Sequence, residues 1–313
     1  MTCSGSRVPV AALKTALFTL ANAAGVSRRF GDTAWRCRRL MILCYHGVSL
    51  ADEHEWNPTL YISPRTLTRR LDALRRLGCT VLSLPEAVDR LYAENLPGRA
   101  VVLTFDDGYY DFKAKALPLL EERRYPVTVY VTTQQWSGDI TIEHLRTSYL
   151  SWRSIRGAVA PYSERALSVM TQSEVADVAG CGVAIEMHTH RHRLPLDVDG
   201  LLLDIRVNRD LIASTTGRVP RHLCYPDGVY HTAHLRHLRA CGVETATTCD
   251  PGLAATSADP LLLPRFVDCE ACSQATFEAW VTGVASWIPR RTHVAHPVHD
   301  VVYNHLGPNE CAF

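Results

Sequence analysis

The stretch Val101–Gly108, V-V-L-T-F-D-D-G, constrains this chain more than any other. It opens as a short run of apolar, β-prone residues and closes on two carboxylates and a glycine. A run of that length, bounded by a turn signal, reads as a strand buried on both faces. Strands of that kind belong to parallel sheets. Similar runs recur at Met41–Val48, Cys79–Leu84, Val127–Val131, Val183–Met187, Arg221–Tyr225 and Glu244–Thr248, and Pro260–Phe266 leads into a last one. Helical stretches alternate with them. Ser63–Leu77 has Ser63 as its cap, Pro64 in its first turn and Leu67, Leu71, Leu74 and Leu77 as its apolar stripe. Ser83-Leu84-Pro85 opens a helix to Tyr92, and Ala114–Arg124 makes another. Thr171–Ala179 starts with Thr171 and Glu174 in capping-box spacing. Leu201–Thr216 presents Leu202, Ile205, Leu211 and Ile212 as its apolar face, and Thr232–Cys241 and Ser273–Trp287 complete the set. The alternation predicts parallel βαβ units, about seven of them, in one barrel-like α/β domain. Such folds carry their chemistry at the C-terminal ends of strands. Three polar clusters fall at those ends: Asp106-Asp107, His188–His192 and Tyr225–Gly228.

Composition removes several classes. The chain has 33 basic and 32 acidic residues and a net charge of +1, so it carries no nucleic-acid footprint. Its eleven cysteines are scattered, without a small disulfide framework. They point to a reducing compartment, with most thiols acting as small buried apolar groups. Cys269-x-x-Cys272 has no partner pair for a structural zinc site. There is no phosphate-binding glycine loop and no G-x-S-x-G elbow.

The ends are read separately, giving residues 1–40 as an N-terminal helix and basic linker, 41–288 as the main domain and 289–313 as a polar tail. Residues 8–26 are apolar but broken by Lys14 and Asn22, too short to span a membrane. Two readings stand. One is an amphipathic helix with Val10, Leu13, Leu17, Leu20 and Ala24 on one face. The other is a signal peptide with Arg7 in front and Ala21-Asn22-Ala23 as its cleavage site. Lys14 and the cysteine count favour the helix, and with it a cytoplasmic or membrane-surface location. The basic group Arg28, Arg29, Arg36, Arg38 and Arg39 fits a membrane surface or a solvated linker. Residues 134–170 read as an elaborated loop lining a cleft, and the tail holds His293, His296 and His299.

Adjacent strand residues point to opposite faces, so Asp106 and Asp107 can do different work, one on a metal and one on a proton. D-D-G is equally good turn chemistry. His188 and His192 are four apart, so one turn or tight loop brings both imidazoles to one ion, while His190 points elsewhere. A solvated loop with Arg191 and Arg193 is the alternative. Cys224-Tyr225-Pro226-Asp227-Gly228 is a rigid loop whose backbone N–H groups suit an oxyanion, or an ordinary turn.

T-F-D-D-G, H-T-x-x-H and Y-P-x-G, in that order, resemble the polysaccharide deacetylase family, also called the NodB-homology domain or carbohydrate esterase family 4. Y-H-G-V-S at Tyr45–Ser49 and A-L-P-L-L at 116–120 resemble its exopolysaccharide, poly-N-acetylglucosamine branch. The likeness covers residues 41–285. It implies a deformed (β/α) barrel that hydrolyses N-acetyl groups on amino sugars of a polysaccharide or glycoconjugate, a carbon–nitrogen bond other than a peptide bond. It implies Asp106 as general base, and Asp107, His188 and His192 as ligands of zinc, with cobalt, nickel and manganese as alternatives. Thr189 matches the motif's hydroxyl residue, and Tyr225 and the backbone at Asp227 fall at the oxyanion and substrate contacts. Where the family has a base-orienting arginine and a tyrosine, this chain has Cys224 and Asp227. Arg265, in L-P-R, is the candidate replacement arginine. The late L-x-H motif is not evident, and by position His46 takes the general-acid role. Two other readings remain: a non-catalytic carbohydrate-binding relative, and a deacylase of another small amide such as a formamido sugar-lipid.

Overall fold

The structure, a computed structural model, describes residues 10–137, 165 and 168–287. The polar tail and most of the predicted 134–170 loop lie outside the described residues. The apolar runs become strands because nearly every residue in them is buried. Those strands are β1 Met41–Tyr45, β2 Gly47–Val48, β3 Tyr61–Ile62, β4 Thr80–Val81, β5 Ala100–Phe105, β6 Thr128–Val131, β7 Ala184–Met187, β8 His222–Cys224, β9 Thr245–Thr247 and β10 Phe266–Val267. The main sheet is parallel throughout, in the order β10-β1-β5-β6-β7-β8-β9, with β4 added at the start of β5. It curls until one segment touches both of its ends. Leu263 exchanges hydrogen bonds with β9, to Ala246 at 2.9 Å and from Thr248 at 3.0 Å. Three residues later Phe266 pairs with Leu43 of β1. The result is the expected deformed (β/α) barrel.

Local signals hold well. The Ser63 hydroxyl accepts from Thr66 N at 3.1 Å and caps Pro64–Arg76. Thr171 and Glu174 make both halves of the capping box. Three expectations need correction. The predicted strand Met41–Val48 breaks at His46, and Gly47–Val48 pairs with Tyr61–Ile62 in a separate two-stranded sheet. Glycine is required there, because a Cβ on Gly47 would lie 2.2 Å from the Tyr61 ring. The long helix Val198–Thr216 buries Leu201, Asp204, Ile205, Asn208 and Ile212, not Leu202 and Leu211. Two polar residues enter that face because they serve the site described below.

The third correction concerns the basic segment after the N-terminal helix; the helix itself forms as expected. Val10–Ala23 is a helix, but its leucine stripe faces solvent: Leu13, Leu17 and Leu20 are 55, 51 and 67% exposed, while Phe18 is buried. The basic group that follows is not an open linker, although Arg28, Arg29 and Arg38 stay exposed. It forms two short helices, Val26–Gly31 and Ala34–Cys37, and Arg36 is fully buried. Its guanidinium donates to Val281 O at 2.8 Å, Arg39 O at 2.7 Å and Ala100 O at 3.3 Å. Burial lowers its pKa to about 10. Every described cysteine is a free thiol, and no described helix is long and apolar enough to cross a membrane.

The fold carries one acid-sensitive element away from the site. His222 on β8 is buried against Thr245 Oγ1 at 2.8 Å, and burial pushes its imidazole from 6.5 down to about 4. A depressed folded-state pKa means that proton uptake favours the unfolded chain. This stability is therefore full above 6.5 and is lost as pH falls toward 4. Denaturant unfolding at about pH 5 should show a loss of about 2 kcal/mol relative to neutral pH from this group alone. His222→Gln should shrink the acid-induced loss by that amount.

Candidate active site

β5 carries its ladder one residue past its end: Asp106 N donates to Tyr45 O at 2.9 Å. The chain then turns sharply, with Gly108 N donating to Asp106 O at 2.9 Å. Asp107 has φ of +69° and Gly108 +74°. A non-glycine residue in that left-handed region is disfavoured and persists where its surroundings hold it. At Gly108 a Cβ would come to 3.0 Å from Val131 Cγ1. D-D-G is thus a turn, and it places both carboxylates just past the end of β5.

His188 follows β7, and its N–H donates to Val131 O at 3.2 Å. Its Nδ1 lies 2.9 Å from Cys224 O, a carbonyl that can only accept. Nδ1 therefore carries hydrogen, and Nε2 is left to face Asp107. The Nε2 atoms of His188 and His192 each lie 3.2 Å from Asp107 Oδ1. That oxygen is buried and makes no well-aligned hydrogen bond with either ring. One ligand atom from each of the three residues lies within 4.8 Å of the other two. Two imidazoles and a carboxylate converging on a shared point fit a divalent ion with open positions for further ligands. Burial works against ionisation of Asp107, but the two histidines outweigh it and hold the carboxyl well below the usual range.

The histidine loop is held by residues that the sequence reading missed. Asp204 Oδ1 accepts from His190 N at 2.6 Å. Asn208 Nδ2 donates to Val131 O at 3.1 Å and Thr133 Oγ1 at 3.0 Å. His190 does point elsewhere, with Nδ1 3.0 Å from Thr133 Oγ1. Asp204 and Asn208 are four apart, in line with Leu201, Ile205 and Ile212, so an i,i+4 polar pair within an apolar face was the available signal. Thr189 is fully buried at φ +63°, and its hydroxyl accepts from Arg193 N at 3.1 Å, which ties down the loop.

Arg265 reaches Asp106 from the last unit of the barrel. Nη1 donates to Oδ1 at 2.9 Å and Nη2 to Oδ2 at 2.8 Å, a bidentate pair with both side chains buried. Arg265 Nε donates to Thr248 O at 2.9 Å, which fixes the guanidinium plane. Two thiols also approach Oδ2, Cys224 at 3.2 Å and Cys44 at 3.4 Å. Cys44 had no signal in the sequence. His46 Nε2 lies 3.9 Å from Oδ2, and its side chain is partly exposed. Burial again works against the charge, but Arg265, then His188 and His46, hold the Asp106 carboxyl well below its ordinary range.

The Tyr225–Gly228 loop divides its residues. Tyr225 is fully buried, donates its hydroxyl to Leu261 O at 3.0 Å and its N–H to Thr247 O at 3.1 Å. Both groups are committed, so Tyr225 anchors the loop. Asp227 is exposed, at φ +55°. Among the described residues no backbone carbonyl takes its N–H.

A family model described as polysaccharide deacetylase matches residues 93–246, which span Asp106, the histidine loop and Tyr225–Gly228. The chain carries a domain of the polysaccharide deacetylase family. Its coarse activity is therefore that of a deacetylase, a hydrolase of carbon–nitrogen bonds outside peptides. A Bacillus subtilis protein described as a polysaccharide deacetylase, YxkH, is 23% identical over 267 residues, 82% of each chain. The Streptococcus pyogenes deacetylase PplD, solved with acetate, matches with a TM-score of 0.62 at 21% identity, over 76% of this chain and 96% of that one. A de-N-acetylase from Aggregatibacter actinomycetemcomitans matches at 0.60 and 20% identity, over 77% of this chain and 99% of that one. These structural likenesses establish a shared fold.

The buried pair makes a measurable prediction. Arg265→Ala should lower the unfolding free energy by about 3–5 kcal/mol, because it strands Asp106 without a partner. In an Asp106→Asn background the same change should cost far less. A double-mutant cycle by denaturant unfolding reads the difference.

Proposed function

We propose that this protein removes N-acetyl groups from amino sugars of a polysaccharide or glycoconjugate. The observation that carries the reading is the convergence of Asp107, His188 and His192 beside an Asp106 clamped by Arg265. Asp107, His188 and His192 would hold a divalent ion, zinc by the nature of the donors, with cobalt, nickel and manganese as alternatives. When bound, the ion supplies Lewis acidity for the acetyl carbonyl and lowers the pKa of water.

The protein's own residues supply the remaining steps. Asp106 is anionic at neutral pH and held in one plane by Arg265, so it is the proton acceptor for the attacking water. Water adds to the amide carbon. The Asp227 N–H, free of backbone partners, is the oxyanion donor. The C–N bond then breaks, and His46 gives a proton to the departing amine, which otherwise leaves poorly. Acetate and a free amino sugar result. The position of His46 after β1, 3.9 Å from Asp106 Oδ2, supports it as the acid. The early Y-H-G-V-S motif supports the poly-N-acetylglucosamine branch as the substrate class, and the Aggregatibacter neighbour, described as a de-N-acetylase, supports N-acetyl removal as the reaction. The four polar residues Asp106, Asp107, His188 and His192 speak against a purely binding role, which has no need of all of them.

Acetate release from N-acetylglucosamine oligomers, with and without a chelator, tests the reading, and activity should vanish with the chelator and return with zinc. Asp106→Asn should lower kcat by about a hundredfold or more while metal content stays unchanged. A near-wild-type rate in the metal-loaded variant would remove Asp106 from its role. His188→Ala should instead lose the metal, as read by elemental analysis.

A further inference from the structure

The N-terminal helix Val10–Ala23 is amphipathic the wrong way round for a helix that only packs on its own domain. Its inward side carries Phe18, 5% exposed, and Asn22, whose amide donates to Ala275 O at 3.3 Å and Glu278 Oε2 at 3.4 Å. Its outward side carries Leu13, Leu17 and Leu20, each more than half exposed. At 100° per residue these three fall within a 60° arc, and Ala24 falls between them. Val26, in the next helix, is 50% exposed, and Trp287 is 66% exposed. The Trp287 ring packs against Phe30 at 6.1 Å and Trp35 at 5.8 Å. An exposed stripe of large apolar side chains marks a binding face.

Charge at that face points to the partner. Residues 10–39 hold six basic groups (Lys14, Arg28, Arg29, Arg36, Arg38 and Arg39) and one acid, Asp32, a balance of +5 in a chain whose total is +1. Asp32 is already paired with Arg99, and Arg36 is buried. Arg28, Arg29 and Arg38 are exposed. An exposed leucine stripe, in a segment that also carries exposed arginines, matches a helix lying in the headgroup region of an anionic bilayer. Neither the family nor the catalytic residues call for such a face.

We infer that the N-terminal helices dock this protein onto an anionic membrane surface through Leu13, Leu17 and Leu20, with Arg28 and Arg29 as the electrostatic contacts. The attachment leaves the catalytic residues free. Arg36 and Arg99 tie this segment to the start of β5, through Ala100 O in one case and Arg28 O and Asp32 in the other. Asp106 and Asp107 stand past the opposite end of that strand.

Co-sedimentation of the full chain with lipid vesicles tests the inference. The protein should pellet with vesicles rich in phosphatidylglycerol and stay in solution with phosphatidylcholine alone, and high salt should weaken binding. Replacing Leu13, Leu17 and Leu20 together by Glu should reduce binding about tenfold or more, with the circular dichroism spectrum and the deacetylase rate unchanged. Arg28→Glu with Arg29→Glu, which leaves the leucines in place, should weaken binding to anionic vesicles about tenfold. Equal binding to both vesicle types, or none to either, would overturn the inference. So would a wild-type dimer that the leucine variant converts to a monomer, because the stripe would then be an interface between copies of this chain.

Discussion

The bidentate contact between Arg265 and Asp106 is the interaction on which the centre depends. Both side chains are buried, so neither charge is affordable without the other. Their meeting requires the barrel to curl. Arg265 lies between Leu263, which bonds to β9, and Phe266, which bonds to β1. From there its side chain reaches the end of β5. Thr248 and Asp250, just past β9, accept from its Nε and its backbone N–H. An open, flat sheet would place β9 and β1 too far apart for one segment to serve both.

The same closure accounts for the thiols. Where the related motif has an arginine, this chain has Cys224, and the guanidinium arrives from the segment just before β10 instead. Cys224 is small enough to leave it room, lying 3.1 Å from Arg265 Nη2. Cys44, on β1, fills the remaining side of Asp106 Oδ2. A carboxylate so enclosed has little freedom to turn, which suits a group that must present a lone pair in one direction.

The neighbouring trio is held differently. Asp107, Thr189 and His192 all lie in the left-handed region, and such backbone is maintained by what surrounds it. Asp204, Asn208 and Thr133 provide that support from a helix and a strand end, so a flexible-looking histidine run becomes a fixed one. Polar residues in the buried face of Val198–Thr216 cost packing there and return it as geometry at His188 and His192.

Much of this was legible in the sequence. Most of the strands, the caps at Ser63 and Thr171, the D-D-G turn and the spacing of His188 and His192 follow from local rules, in which neighbours in sequence are neighbours in space. Order along the chain was enough to name the family and to bring Asp107, His188 and His192 together on paper. Arg265 could be suspected, but its contact with Asp106 joins residues 159 positions apart. No local rule reaches that far. The same holds for the Cys44 and Cys224 thiols, for the commitment of Tyr225 to Leu261, and for the outward turn of the leucine stripe at Leu13, Leu17 and Leu20. Periodicity says that a helix has an apolar face, whereas only packing decides which way that face points. Sequence by itself determined most of the elements and the kinds of side chain at their ends. Closure of the barrel decided which charges meet, because a buried ion pair exists only where distant segments are brought within hydrogen-bonding distance.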